Sequence, residues 1–307
     1  MAKSKKAIVG RLINWLCFCL ALALAGIAAV ELWYYPRYLT HKTTFDISTA
    51  ENGDEIRVMS ANVRCWSPTD FFKRSWFYRA ELLLKNITAQ QPDIIGFQEV
   101  MPLHYKYLTD SLLGYDSVIE YRDSSVISEG CPVFYNTAKF ALTDKGSFWL
   151  SETPDAMSKD WDAACYRICS YVILKEKTTD RQLVVFNTHL DHVSDEARIN
   201  GINVVLDKIK QFGGLPSSIM GDFNAGEDSS TYQAATALFD DAKYQTENTM
   251  SGATYQNWGQ ALDNENIDYF MISKTGINVL KYAIINATYD GVYPSDHFPI
   301  VINIALQ

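Results

Sequence analysis

Apolar and polar positions repeat with different periods along the chain, and the period separates predicted helices from predicted strands. Helical spacing predicts helices over 75–90, 103–113 and 194–212, the last with Ser194 as its N-cap and Gly213 and Gly214 at its end. Many strands with few interleaved helices fit an α+β fold, in which two packed sheets carry helices on their outer faces. Short apolar or alternating runs predict the strands, over 55–62, 93–98, 115–121, 131–135, 140–150, 166–176, 182–189, 267–273, 277–286 and 298–304.

One apolar stretch near the N-terminus is too long for a strand. Residues 12–30 carry no charged side chain and would span about 28 Å as a helix, close to the hydrocarbon thickness of a bilayer. Basic residues without an acid precede it, and Trp33, Tyr34 and Tyr35 follow it as an interfacial aromatic belt would. The pattern predicts a basic cytoplasmic leader (1–11), a transmembrane anchor or uncleaved signal (12–35), a polar linker (36–54) and a globular domain (55–307).

The charge distribution around this stretch predicts its orientation. Basic flanks stay on the cytoplasmic side, so we expect a single-pass protein of the cell membrane whose globular domain is extracytoplasmic. A cleaved signal peptide is the alternative, because Ala23-Leu24-Ala25 fits a small-residue cleavage site, and it would give a secreted protein. A buried core helix is a third interpretation, which the basic leader disfavours.

The net charge argues against a long nucleic-acid partner. Beyond residue 40 the chain has 22 basic and 35 acidic residues, a net charge near −13. Proteins that bind nucleic acid usually present basic surface to the phosphates.

Four cysteines in this part either form disulfides or remain buried thiols, and their spacing fits no zinc site: Cys65, Cys131, Cys165 and Cys169.

The stretch 217–227 carries the most informative polar residues. Asp222 and Asn224 follow a short buried strand and, being two residues apart on an extended chain, lie on the same face. A carboxylate can orient or deprotonate a water, and an amide can donate to a phosphate oxygen. An ordinary turn of Asp, Asn and Gly is the competing interpretation of this motif.

Five further motifs also place polar residues where an apolar run ends, which is where α/β folds collect their active sites. They read Ser60-Ala61-Asn62-Val63-Arg64, Phe97-Gln98-Glu99-Val100, Asn187-Thr188-His189-Leu190-Asp191, Ile267-Asp268-Tyr269 and Ser295-Asp296-His297-Phe298-Pro299. Together, in this order, they closely resemble the endonuclease/exonuclease/phosphatase superfamily, which includes the pancreatic deoxyribonuclease type. The resemblance covers residues 56–305 and implies a four-layer αββα sandwich with metal-dependent phosphoesterase activity.

The resemblance also implies roles for these residues. Glu99 would be the principal metal ligand, joined by Asn62 and Asp296, and an oxygen-only set suits Mg²⁺, with Mn²⁺ as the alternative. The motif set implies catalytic roles for five further residues: Asp222 to activate the attacking water, Asn224 to position the phosphate, His189 to donate to a non-bridging oxygen, His297 to stabilise or protonate the phosphoryl group, and Asp268 to hold the His297 ring.

Further segments resemble exported bacterial members of the superfamily and suggest substrate contacts. Arg122, Arg167 and Arg198 are the candidates, because a guanidinium pairs bidentately with phosphate; structural salt bridges are the alternative for each. Glu129 would support His189, and Asp191 would hold neighbouring groups of the site in place. Ser124-Ser125 departs from the usual subgroup pattern.

These observations predict a membrane-anchored, extracytoplasmic, Mg²⁺-dependent phosphodiesterase, which we expect to be a monomer. An exported nuclease, a lipid phosphoesterase of the sphingomyelinase or phosphoinositide-phosphatase type, and a catalytically silent binding protein are the alternatives. The complete motif set disfavours the silent protein. Phe71 and Phe72 lie in the loop after the Asn62 motif and either touch a bilayer or pack on the domain, the second being the more usual fate of loop aromatics.

Overall fold

The strands pair into two large sheets in a computed structural model of the chain, which describes residues 2–40, 43–50, 53, 55–250, 252–260 and 265–307. In chain order the strands are β1 Phe45–Asp46, β2 Ile56–Asn62, β3 Ile94–Gln98, β4 Leu112–Leu113, β5 Tyr115–Val118, β6 Val133–Asn136, β7 Phe140–Trp149, β8 Ile168–Glu176, β9 Gln182–His189, β10 Ser217–Asp222, β11 Phe239–Asp241, β12 Thr249–Met250, β13 Asp268–Ser273, β14 Ile277–Ile284 and β15 Ile300–Leu306. One sheet has the order β11-β13-β10-β9-β8-β7 and the other β12-β14-β15-β2-β3-β6-β5, while β1 pairs with β4 alone.

The helices are α1 Ala2–Glu31, α2 Tyr35–Thr40, α3 Trp76–Gln90, α4 Pro102–Ser111, α5 Asp195–Lys210 and α6 Ser230–Leu238. Of these, α3 and α4 cover the outer face of one sheet and α5 and α6 that of the other. One buried apolar cluster fills the space between the sheets, a second joins α3 and α4 to the seven-stranded sheet, and a third joins α5 and α6 to the six-stranded sheet. The predicted α+β sandwich with helices on both outer faces is confirmed.

Polar side chains join the two sheets beneath the edge where the motifs meet. Gln98 Nε2 donates to Asn187 Oδ1 over 2.6 Å, and Asn187 Nδ2 donates to the carbonyl oxygens of Phe97 and Pro132, both at 2.8 Å. Close to this bridge, a Cβ on Gly96 would lie 2.3 Å from Met220 Cε and 2.9 Å from Asn187 Cγ, so a larger residue here would require these side chains to shift. The bridge fixes the position of one sheet edge relative to the other.

The N-terminal segment forms one exposed helix that continues toward the domain. The stretch Val9–Thr40 is long and apolar enough to cross a membrane by length and composition, a test that a signal sequence also passes. Parts of the predicted linker 36–54 lie on the domain: α2 packs on α3, and Phe45 and Ile47 are buried. Residues 41, 42, 51, 52 and 54 of that linker lie outside the described residues.

The sequence pattern did not predict some short elements, and it did not decide whether the cysteines form disulfides. Helix α6 was not predicted because the residues it buries are small or polar, Thr231 and Ala235, which produce no apolar period. Strand β11 follows it at once and is only three residues long. All six cysteines are free thiols.

Candidate active site

Strand register brings the predicted residues to one edge of the sandwich. In the six-stranded sheet Asp222 at the end of β10 lies opposite His189 at the end of β9 and opposite Asp268 at the start of β13. In the seven-stranded sheet Asn62 at the end of β2 lies opposite Gln98, the residue before Glu99. The two rows meet because the sheets pack face to face, and the site therefore takes residues from both.

Glycine at position 221 is required for the close pairing that presents Asp222. Its φ is +141°, and a Cβ there would lie 1.9 Å from the carbonyl oxygen of Thr188 on the neighbouring strand. Glu99 and Asn224, which follow the strand ends, also have positive φ values, 61° and 49°. Such backbone conformations are costly for residues with side chains and are often found at functional sites.

Asp222, Asp268 and His297 form a buried cluster whose ligand-type atoms all lie within 4.8 Å of one another. His297 Nδ1 is 2.9 Å from Asp268 Oδ2, and His297 Nε2 is 3.7 Å from Asp222 Oδ2. Burial alone would lower the pKa of His297, but the two carboxylates outweigh it and raise the pKa to about 10. Burial and the Asp268 carboxylate raise the pKa of Asp222 to about 7. The cluster therefore combines an imidazolium with a carboxyl group that titrates near neutrality.

Glu99 lies on the other sheet and is held as an ionised carboxylate. Its Oε2 accepts a 2.7 Å hydrogen bond from the Cys65 N–H, and its Oε1 accepts a 3.0 Å bond from the Asn62 amide. Burial opposes ionisation, but nearby His189, these two donors and His297 hold the pKa of Glu99 below its ordinary range. Behind it, the buried ring of His104 lies with Nδ1 3.3 Å from the Glu99 carbonyl oxygen. Burial and nearby Arg79 lower the pKa of His104 to about 3, so this ring is neutral.

The residues predicted to bind metal lie together, but the Asn62 side chain turns its amide nitrogen, and not its oxygen, toward the carboxylates of the site. Asn62 Nδ2 donates to Glu99 and also to Asp222 Oδ2 at 3.0 Å, while Asn62 Oδ1 accepts from the Arg64 N–H at 2.9 Å. The amide nitrogen thus holds the two carboxylates together. Service as an oxygen ligand would require this amide to turn over.

The charges of the site fit a divalent cation. Burial raises the pKa of Asp296 and of Asp222, which means that the cations beside these carboxyls do not fully compensate their charge. Arg64 Nη1 lies 3.5 Å from Asp296 Oδ2, and Arg64 Nε pairs with Asp70. Glu99 and Asp296 offer carboxylate oxygens only, the donor type that Mg²⁺ and Mn²⁺ prefer.

His189 differs from His297 in charge and in partners. Burial and nearby Arg167 hold the pKa of His189 well below its usual value, so its ring is neutral. Asn224 Nδ2 donates to His189 Nε2 at 2.9 Å and to the Leu190 carbonyl oxygen at 3.0 Å. Since Nε2 accepts this bond, the ring proton of His189 is on Nδ1.

Two of the three predicted arginines border the site. Arg122 donates to both carboxylate oxygens of Glu129 at 2.8 Å, and Glu129 lines the pocket together with His189. Arg167 Nη2 lies 3.0 Å from His192 Nδ1, and its Nε is 3.8 Å from Asp191 Oδ2. The Nε atoms of both arginines are buried without a hydrogen-bond partner among the described residues.

Asp191 and Arg198 serve the scaffold next to the site. Asp191 Oδ1 accepts from the N–H groups of Val193 and Ser194, both at 2.9 Å, and thereby orders the turn that enters α5. Arg198 donates to the Asp191 carbonyl oxygen at 2.8 Å and pairs with Asp195. The structure does not bring Arg198 to the pocket, and its contacts match the salt-bridge alternative considered from the sequence.

The site opens into a pocket with a volume of about 430 Å³. Its walls contain most of the predicted residues, together with Arg64, Cys65, His192 and Tyr255, for which no role was predicted. The predicted residues lining it are Glu99, Arg122, Glu129, Arg167, His189, Asp222, Asn224, Asp296 and His297. Asn62 and Asp268 support this wall from behind through their hydrogen bonds to Asp222 and His297.

Arg79 is a functional candidate that the sequence did not reveal. It is fully buried on α3, and its guanidinium donates to the carbonyl oxygens of Val63, Pro294, Arg64 and Arg74, at 2.8, 2.7, 3.2 and 2.6 Å. Two of these carbonyls belong to the loop after Asn62, and Pro294 immediately precedes Ser295-Asp296-His297. Arg79 therefore ties together the two loops that carry the site. Its position within an amphipathic helix gave no signal of this role.

Comparisons of the sequence and of the structure with known proteins point to the same family. The sequence profile described as "Endonuclease/Exonuclease/phosphatase family" matches residues 59–297. A crystal structure of an endonuclease/exonuclease/phosphatase from Bacteroides vulgatus is similar at 30% identity with a TM-score of 0.78, covering 82% of this chain and 99% of that one. A mannosyl-6-phosphatase from Bacteroides thetaiotaomicron is similar at 30% identity with a TM-score of 0.75, covering 82% and 100%.

A more distant relative is much longer than this chain. The CCR4-Not complex 3'-5'-exoribonuclease subunit Ccr4 of Yarrowia lipolytica is 24% identical over 76% of this chain, which spans 40% of that protein's length. This match covers part of the exoribonuclease subunit, whereas the bacterial structures are matched over almost their whole length.

Proposed function

This chain belongs to the endonuclease/exonuclease/phosphatase family, and we propose that it is a metal-dependent phosphodiesterase that hydrolyses a small phosphoester by in-line attack of water. One observation carries the proposal. Asp222, which titrates near neutrality, shares a 430 Å³ pocket with the His297 imidazolium, the Glu99 carboxylate and two arginines. Phosphoryl transfer needs these elements: a proton acceptor for water, and positive charge around the transferred group.

The protein groups divide the chemistry between them. Asp222 accepts a proton from the attacking water as its oxygen bonds to phosphorus. The His297 imidazolium, oriented by Asp268 at 2.9 Å, donates to a phosphoryl oxygen and stabilises the charge that develops there. Arg122 and Arg167, each with a buried Nε–H that makes no hydrogen bond among the described residues, contribute positive charge to the pocket wall. The leaving oxygen departs opposite the water.

Mg²⁺, or Mn²⁺, would be held by Glu99 and Asp296, with Asn62 as a further ligand after its amide turns over. When bound, the ion would neutralise negative charge on the phosphate and on the leaving oxygen. The oxygen-only donors support this assignment, as does burial, which raises the pKa of Asp296 and Asp222 and so favours additional positive charge beside them.

A phosphomonoesterase acting on a sugar phosphate is the second candidate. It is favoured by the similarity to the mannosyl-6-phosphatase, which this chain covers over its whole length. The acidic domain, with a net charge near −13, disfavours long nucleic acid as substrate.

We further propose that α1 anchors the chain in the cell membrane with the catalytic domain outside the cytoplasm.

The test uses the full chain, purified in detergent, with Mg²⁺ and with a chelator. Bis-p-nitrophenyl phosphate, p-nitrophenyl phosphate, mannose 6-phosphate, RNA and plasmid DNA are compared as substrates. Asp222→Ala and His297→Ala should abolish metal-dependent turnover, while Glu247→Ala, at an exposed position, should not change it. The diester-to-monoester ratio chooses between the two candidates. Absence of turnover on every substrate, from a folded and metal-supplemented chain, would contradict the proposal.

The anchor is tested separately from the chemistry. The proposal expects the protein to remain in the membrane fraction after alkaline wash, with an intact N-terminus by mass spectrometry. It also expects protease added to intact cells to cleave the catalytic domain. A soluble protein that begins after residue 25 would instead establish the cleaved signal peptide.

A further inference from the structure

The end of the predicted membrane helix contacts the beginning of α3. The ring of Tyr34 lies 4.8 Å from that of Tyr78, and the ring of Tyr35 lies 5.0 Å from that of Phe77, both pairs in edge-to-face geometry. Arg37 reinforces the contact by pairing with Glu81 at 2.9 Å. None of the described side chains of α1 is buried. If α1 lies in a bilayer, the first turn of α3 is thus the part of the domain close to the membrane surface.

The turn that precedes α3 presents aromatic and basic side chains beside this contact. Phe71 is 38% exposed and Phe72 is 57% exposed. Phe72 also has a positive φ of 54°, which is unusual for a bulky residue. Lys73 Nζ lies 5.8 Å from the centre of the Tyr78 ring, the same ring that Tyr34 contacts. Exposed aromatic residues next to a lysine and an arginine are typical of segments that lie at a membrane interface.

The same segment forms part of the rim of the active-site pocket. Arg64 and Cys65, which line the pocket, are followed directly by Trp66, which is 37% exposed. Asp70 pairs with Arg64 Nε at 2.9 Å, so the residue before Phe71 is fixed to the pocket wall. The continuous stretch from Trp66 to Arg74 therefore connects the pocket to the membrane end of the anchor.

We propose that the stretch 66–74 is a bilayer-contact surface, in which Trp66, Phe71 and Phe72 enter the interface and Lys73 faces lipid headgroups. The occupant is the bilayer that holds α1, an inference that rests on the anchored phosphoesterase of the proposed function. Two attachments, the helix and this turn, fix the pocket rim beside the membrane. The substrate class that follows is an amphiphilic phosphoester residing in that bilayer, with its headgroup reaching the pocket.

The contact is tested by photo-crosslinking in the full chain. The crosslinking amino acid p-benzoylphenylalanine replaces Phe72, and the protein is reconstituted into vesicles of phosphatidylcholine with a minor fraction of phosphatidylglycerol. Leu238 is the matched control, because it is 50% exposed on α6, on the opposite outer face of the sandwich. Lipid adducts at position 72 and not at position 238 are expected. Equal lipid labelling at both positions, or adducts to protein alone at position 72, would overturn the proposal.

The functional consequence is tested with Phe71→Ser/Phe72→Ser in the same vesicles. Turnover of a phosphoester lipid embedded in the bilayer should fall about tenfold or more, because two aromatic side chains no longer enter the interface. Turnover of water-soluble bis-p-nitrophenyl phosphate should stay unchanged, since neither residue touches the catalytic groups. Equal loss on both substrates, or no loss on the lipid that the parent hydrolyses, would refute the surface. If the parent hydrolyses neither substrate, the proposed function fails, and the crosslinking result still decides the contact.

Discussion

Replacing Arg79 with methionine should disconnect the two loops that carry the active site. The guanidinium donates to four backbone carbonyls, of Val63, Arg64, Arg74 and Pro294, and is fully buried. Methionine fills much of the same volume without any donor. The variant therefore removes the hydrogen bonds and the charge while leaving the packing of α3 largely in place.

The magnitude follows from two opposing contributions. Hydrogen bonds from a charged donor contribute about 1.5–3 kcal/mol each, and the carbonyls left behind would be buried without this partner. Against this, burying the guanidinium costs several kcal/mol, in keeping with a pKa of Arg79 that burial lowers to about 10. Since four bonds outweigh one desolvation, we expect a loss of about 3–5 kcal/mol in the free energy of unfolding.

Activity should fall further than stability alone explains. The carbonyls that Arg79 holds lie one to two residues from Asn62 and two residues from Asp296. A displacement of about 1 Å in such groups costs about 100-fold in rate. We expect kcat to fall by about this factor and the Mg²⁺ concentration for half-maximal activity to rise, while KM changes little.

The assay compares urea denaturation, Mg²⁺ titration and steady-state kinetics for three variants of the full chain. Arg79→Lys keeps the charge but reaches fewer carbonyls, so it should recover part of kcat. Lys85→Met, on an exposed position of the same helix, should behave as the parent. An Arg79→Met protein with parental kcat and parental Mg²⁺ dependence would refute the positioning role, whatever its stability.

Three further changes test other parts of the site. Gly221→Ala should lower the free energy of unfolding by about 2 kcal/mol or more in urea denaturation, because its Cβ would meet the Thr188 carbonyl; Gly213→Ala, in open space, should cost less. His104→Gln should make the free energy of unfolding less dependent on pH below about 6.5. The buried ring of the parent stays neutral, which costs nothing above pH 6.5. As the pH falls from there toward 3, the parent loses up to about 1.4 kcal/mol per pH unit. Parallel stability curves for parent and variant would contradict this. Glu99→Gln should raise the Mg²⁺ requirement at least about tenfold in a metal titration of activity, and an unchanged requirement would exclude Glu99 as a ligand.

The layered fold could be predicted because the signals for helices and strands lie within short stretches of the sequence. Apolar periods mark strands and helices directly, and β9 was predicted with its observed bounds, Gln182–His189. Helix α6 escaped because its buried face uses small residues, which leave no period. The bounds of other strands shifted by one to three residues, where hydrogen-bond pairing rather than hydrophobicity decides the end.

The site was predictable as a set of positions and less so as a set of contacts. Polar residues at strand ends indicated which residues meet, and the structure brings Asp222, His297 and Glu99 to one pocket. Partner choice depends on distances across loops, which a sequence does not contain. The ion pair between Glu129 and Arg122, for example, was not predicted from the sequence.

The two active-site histidines illustrate why charge cannot be read from a motif. Both are buried and border Asp222, with Nε2 atoms 3.5 Å (His189) and 3.7 Å (His297) from its Oδ2. Burial disfavours the imidazolium in each case, so the difference must come from the second neighbour. Asp268 faces His297 and stabilises its charge, whereas Arg167 lies near His189 and opposes protonation.

This difference assigns separate tasks to the two rings. The neutral His189 accepts a hydrogen bond from Asn224 and, in the proposed mechanism, leaves Asp222 as the proton acceptor between the rings. The charged His297 would then keep the proton that the proposed mechanism donates to a phosphoryl oxygen. If both rings were protonated, Asp222 would be a carboxylate of low basicity. If both rings were neutral, no imidazolium beside Asp222 could supply a proton to the phosphate. A site that removes a proton from water while supplying one to phosphate therefore requires the unequal neighbours that this fold provides.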